Sequence, residues 1–123
     1  MEGSLTPKRL EGSGRWLIKI IAGLFIVIFL GIHFVVNHLV APGGLLTYAD
    51  VVAYYQNPVI VVMEVAFLVV VITHAFLGVR SILLDLNPTA WVLRAANVLL
   101  VNVGAAAVIY GAWLALTIAN VKI

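Results

Sequence analysis

"NPVIVVMEVAFLVVVITHAFLGVRSILLD", residues Asn57–Asp85, decides how the rest of the chain is read. Between Pro58 and Leu84 only Glu64, His74 and Arg80 can carry charge, and the apolar residues run on without alternation. Roughly 20 residues at about 1.5 Å rise cover the ~30 Å hydrocarbon core of a bilayer. This stretch is longer than that. A membrane β-strand would alternate apolar and polar residues over about ten positions, so helix is the economical reading. Two more runs have the same character, approximately Trp16–Val40 and Trp91–Val121. The expectation is an all-α integral membrane protein with transmembrane helices near 16–40, 58–84 and 91–121, forming one anchor domain over 16–123.

Composition agrees. Of 123 residues, 64% are hydrophobic and 10% charged, with a mean hydropathy of +1.18; a soluble domain of this length would need far more polar surface. Lys8, Arg9, Arg15 and Lys19 lie before or at the start of the first apolar run, Arg80 and Arg94 flank the second connection, and residues 40–57 contain neither Lys nor Arg. By the bias of basic residues toward the inside, the N-terminus is expected in the cytoplasm and the C-terminus outside, in a multi-pass protein of the cell's inner (cytoplasmic) membrane. Residues 1–15 read as a short polar cytoplasmic lead, because the apolar run after them is too long for the core of a signal peptide. The net charge of +2 follows from this bias and gives no reason to invoke nucleic acid. No cysteine occurs, which excludes thiolate and iron–sulfur ligation by this chain. A redox centre held here must use histidine.

The first connection opens on Pro42–Gly43–Gly44 and closes on Asn57–Pro58, both turn signals. Between them Thr47 as cap and Asp50 in the first turn predict a short helix over 47–55 at the outer interface, with Tyr48, Tyr54 and Tyr55 in the aromatic belt. The short "DLNPT" link makes the second and third long helices antiparallel neighbours. Gly104, Ala107, Gly111, Ala115 and Ala119 form a small-residue ridge for close helix approach.

The polar residues at membrane depth are few, and such residues usually serve a function. The first long helix carries His33, Asn37 and His38; the second carries Glu64, His74, Arg80 and Asp85. No HExxH, serine nucleophile or phosphate-binding loop is present. At about 100° per residue, His74, Gly78, Ser81 and Asp85 share a face. A glycine one turn from a histidine leaves room for a flat ligand, and haem, bound axially through imidazole, fits that space. Arg80 would pair with a propionate or a quinone head group, and Asn37 with a propionate or a neighbouring helix. His38, five residues beyond His33, faces another side. Glu64 could exchange protons with an outer quinone, contact a propionate, or make an interhelical hydrogen bond. Counted from the inner ends, His33 lies about 25 Å up its helix and His74 about 15 Å up its own, so the two should not share an iron.

"HFVVNHL" and "HAFLGVR…D" resemble the haem-ligand helices of the cytochrome b membrane anchors of succinate dehydrogenases and fumarate reductases, over about Arg15 to Pro88. The resemblance is to the small D-type anchor of a dihaem enzyme. It implies His74 as ligand of the haem nearer the iron–sulfur subunit, His33 as ligand of a distal haem, and Ser81 and Asp85 at a quinone pocket, with Asp85 and Glu64 as candidates for proton transfer. Leu86 stands where the family often has tyrosine, which weakens the quinone contact there. Dihaem anchors made of one chain carry more helices and ligand histidines than this chain offers. The missing ligands are therefore expected from a second cytochrome b anchor subunit, this chain being half of a two-subunit bundle. The other implied partners are an iron–sulfur subunit and a flavoprotein, which hold the iron–sulfur clusters and FAD; the implied quinone is menaquinone. This chain would pass electrons between the iron–sulfur subunit and membrane quinone in the respiratory chain, without touching the dicarboxylate. Two alternatives stay open: a single haem at His74, and a haem-free transport or assembly subunit using His33, Glu64 and His74 as a proton relay.

Overall fold

A computed structural model describes residues 12–40, 43 and 47–122. The N-terminal lead up to residue 11, and most of the turn that opens the first connection, lie outside the described residues.

The long apolar runs form helices α1 (Ser13–Val35), α3 (Pro58–Asp85) and α4 (Ala90–Ala119), and the outer connection forms α2 (Tyr48–Tyr55). All three long helices are long and apolar enough to cross a membrane, and the described residues contain no strand. The sequence places the first helix at 16–40. It begins at Ser13 and its last turn, Val36–Val40, widens into a π-helix that carries Asn37 and His38. Such widened turns interrupt the regular ladder and often accompany functional residues.

The ends of the elements follow from local chemistry. Thr47 caps α2 by a reciprocal pair: its hydroxyl accepts from the Asp50 amide at 3.2 Å, and the Asp50 carboxylate accepts from the Thr47 amide at 2.8 Å. Two orphan amides are thereby satisfied. Asn57 caps α3 by accepting from the Val59 amide at 3.0 Å, with Pro58 at the first helical position where its missing N–H costs nothing. Asn87, at φ 47°, turns the chain from α3 into α4.

α3 lies between α1 and α4, whose backbones do not approach each other closely among the described residues. The helices thus form a single layer. Lipid offers no hydrophobic drive for helices to associate, so close packing must hold them. On α4, a methyl group added at Gly104 would overlap the Phe76 ring, and one at Gly111 would overlap Leu68. The small-residue ridge therefore receives α3. α2 covers the start of α3 and the end of α4, where the Gln56 amide donates to the Val121 carbonyl at 3.1 Å. Among the described residues only a few side chains, Ala22, Val61, Leu84, Leu93 and Ala115 in the long helices and Val52 in α2, form a buried apolar core. Leu24, Val27 and Leu30 on α1, and Leu99, Val101 and Ile109 on α4, remain exposed; apolar surface on this scale marks contact with lipid or another protein.

Candidate functional site

Antiparallel packing of α1 on α3 gathers the polar side chains into two clusters at different levels. At the level nearer the start of α1, the inner one if the charge bias sets the orientation, His74 of α3 lies against α1. Its Nδ1 is 3.1 Å from the Lys19 carbonyl oxygen. A carbonyl can only accept, so Nδ1 carries the proton, and in the neutral ring Nε2 keeps its lone pair. Nε2 has no hydrogen-bond partner among the described residues. The ring is seated on Gly23, where an added methyl group would come within 3.3 Å of His74 Cε1. The same Lys19 extends its Nζ to Ser81 Oγ at 2.6 Å. One residue of α1 thus engages both the histidine and the serine of the α3 face read from the sequence.

Arg80 turns to α4, its Nε donating to Asn97 Oδ1 at 3.1 Å. The two residues line a cleft of about 230 Å³ with Arg15, Phe76 and Leu77. Asp85 is exposed at the inner end of α3. Gly78, one turn from His74, has open space where a methyl group would stand. No described residue requires glycine there.

At the outer level, the His33 ring of α1 meets Glu64 of α3. Nδ1 lies 2.9 Å from Oε1 and 3.1 Å from Oε2, so the imidazole proton faces both carboxylate oxygens. Tyr54 of α2 donates its hydroxyl to Oε1 at 2.5 Å. The carboxylate is well covered, at 11% exposure against 36% for the His33 side chain. Phe67 stacks at a tilt on His33, centroid to centroid 5.5 Å. His33, Glu64, Tyr55 and Phe67 line a mostly apolar cleft of about 330 Å³ that reaches Gly111 and Ala115 of α4.

Burial raises the pKa of Tyr54 above its ordinary value, and the Glu64 hydrogen bond and charge raise it further, against an opposing contribution from the Asn37 amide. Tyr55 is raised too, by burial first and Glu64 second. Asn37 is only 5% exposed. It lies close enough to Tyr54 to influence it, yet neither side-chain amide atom reaches hydrogen-bond geometry with any described residue. A buried amide left in this state costs about 1–3 kcal/mol, which calls for a polar group from outside these residues. His38 is exposed and rests on Phe34.

The expected site residues therefore divide. His74, Ser81, Arg80 and Gly78 belong to the inner level, with Asp85 at its rim; His33, Glu64 and Asn37 belong to the outer one. Ten residues of α3 between Glu64 and His74 amount to about 15 Å. Three participants were missing from the sequence reading: Lys19, counted there only as a positive charge, Asn97, and Tyr54, expected only to mark the interface. The residues present fit haem on the chemistry of the donors: each of two imidazoles has Nδ1 engaged and Nε2 open, Gly78 leaves space beside His74, and Asn37 offers an unsatisfied amide near His33.

The family of succinate dehydrogenase/fumarate reductase transmembrane subunits matches residues 5–119. The succinate dehydrogenase hydrophobic membrane anchor subunit of Archaeoglobus fulgidus is 38% identical over 72 residues, which cover 58% of this chain and 61% of that protein. This match spans less than two thirds of that relative's length. The protein of the same description from Thermoplasma acidophilum is 25% identical over 118 residues, 96% of each chain.

Proposed function

Since the chain belongs to the succinate dehydrogenase/fumarate reductase transmembrane subunit family, we propose that it is the small, D-type, haem b-binding anchor of such a complex, carrying electrons between an iron–sulfur subunit and membrane quinone. The observation that carries this reading is the state of His74, whose Nδ1–H is held by the Lys19 carbonyl at 3.1 Å while Nε2 stays open. Metal-binding histidines are typically oriented by a hydrogen bond of this kind from the other ring nitrogen.

His74 would hold one haem near the cytoplasmic end and His33 a second near the outer end, each completed by a histidine of a second cytochrome b anchor packed on the exposed face of the layer. Haem b, when bound, supplies reversible one-electron transfer. The chain's own residues orient the donors, exclude water and place protons. Lys19 and Gly23 lock the His74 ring. Arg80, whose Nε donates to Asn97 of α4, would meet a propionate or quinone head group at the inner end. Ser81 offers a hydroxyl to a quinone carbonyl, while Asp85, exposed at the cytoplasmic rim, delivers protons as a quinone takes up two electrons and two protons. FAD and iron–sulfur clusters belong to two soluble partners on the cytoplasmic side, where Arg15, Lys19, Arg80 and Arg94 gather, and the quinone is menaquinone.

The haem-free relay through His33, Glu64 and His74 receives less support. His33 and Glu64 are bonded, but His74 is about two to three helical turns away along α3 and its Nδ1 is occupied by a backbone carbonyl. The test is a reduced-minus-oxidised spectrum of the purified assembly. Haem b absorption with a co-purifying flavoprotein and iron–sulfur subunit is expected. An assembly without haem absorption contradicts the proposal.

A further inference from the structure

The outer cluster contains more than an anchor's haem histidine requires. Two elements converge on the Glu64 carboxylate of α3: α1 through His33 and α2 through Tyr54. The phenol donates through O–H, and an ionised carboxylate, which can only accept, takes the imidazole through Nδ1–H as well. Tyr54 is brought there by a capped helix outside the membrane span.

We propose that Glu64, itself held by Tyr54, is a positioning residue for His33: it fixes the imidazole with Nδ1 protonated and strengthens Nε2 as an axial donor to iron. This rests on the reading of His33 as a haem ligand. The physical reason is general. A carboxylate accepting the distal N–H of a ligating imidazole fixes its tautomer and raises its basicity. A more basic ligand with a negative charge behind it favours ferric over ferrous iron and lowers the reduction potential. His74 provides the internal contrast, because its Nδ1–H meets a neutral backbone carbonyl.

The experiment is a redox titration of the haems in the purified complex, following each step by optical difference and by the low-spin electron paramagnetic resonance signal. Glu64→Gln keeps an oxygen that can accept from Nδ1–H but removes the charge. The expected result is unchanged haem content, an upward shift of the step lost in His33→Leu, and no shift of the step lost in His74→Leu. Tyr54→Phe removes a competing donor and leaves the carboxylate to His33 alone, so the same step should shift downward. This second variant keeps the test intact if Glu64→Gln fails to assemble. A merely structural bond between helices would alter assembly or thermal stability and leave both potentials in place. If the His33 step exists and neither variant moves it, the positioning role is overturned while the haem assignment stands. If the wild-type complex shows a single step, and that step belongs to His74, the haem assignment of His33 falls and the proposal falls with it.

Discussion

The inner and outer histidines sit on the same pair of helices but are restrained by different means. His74 is held by a backbone carbonyl and the flat surface of a glycine on α1, features that follow from helix position alone. His33 is held by a side-chain carboxylate that a third element, α2, also grips. The oxygen behind the inner imidazole is therefore a neutral carbonyl, whereas the one behind the outer imidazole belongs to a carboxyl group. A single bonding motif, Nδ1–H donating to oxygen, thus produces two environments that should differ in reduction potential and in sensitivity to substitution.

That contrast can be broken most directly at the glycines. Gly104→Leu forces a side chain into the Phe76 ring, and overpacking of this kind costs about 1–3 kcal/mol. A marked fall in the thermal unfolding temperature of the detergent-solubilised complex is expected, affecting both levels. Gly78→Leu starts into open space, because its Cβ meets no described residue. It should preserve helicity and unfolding temperature while displacing the haem at His74, halving haem content and sparing the outer step. Equal destabilisation by the two substitutions would remove the case for a ligand beside Gly78.

A smaller effect is expected from Gly23→Ala, whose methyl group would sit 3.3 Å from His74 Cε1. The ring must yield by a few tenths of an ångström, so haem should remain and the paramagnetic resonance signal of the inner haem should shift. Thr47→Ala removes the reciprocal cap of α2, worth about 1 kcal/mol, and should loosen Tyr54 from Glu64; the outer step is expected to respond and the inner one to remain. Alkaline titration is the mildest probe. Folding raises the pKa of Tyr54 and Tyr55, so the stability they contribute is complete below the ordinary tyrosine value near 10 and is lost as pH rises through the folded values. Phenolate absorption from both should develop above the ordinary range, and Tyr54→Phe should remove part of that late signal.

The helices were legible because a bilayer demands unbroken apolar length, and the Thr47–Asp50 cap and the Asn57–Pro58 turn because they depend on residues close in sequence; that Asn57 also caps α3 is seen only in the structure. The partners of the histidines were harder to read, since they lie on another helix. One signal was nonetheless present. His33 and Gly23 are ten residues apart on α1, and Glu64 and His74 are ten apart on α3. With antiparallel helices, placing Glu64 against His33 brings Gly23 against His74. Tyr54 escaped because an interfacial tyrosine has a sufficient role in marking the membrane boundary, and only the turn from α2 into α3 reveals that it reaches inward. The π-helical end of α1 has no signature in the residue pattern.

The central claim is that His33 and His74 serve separate irons at separate depths, and counting haem tests it most directly. In the purified complex, haem b per assembly should be two for the wild type and one each for His33→Leu and His74→Leu, with different redox steps lost in the two variants. Loss of the same single haem in both variants, or of none in either, would contradict the account.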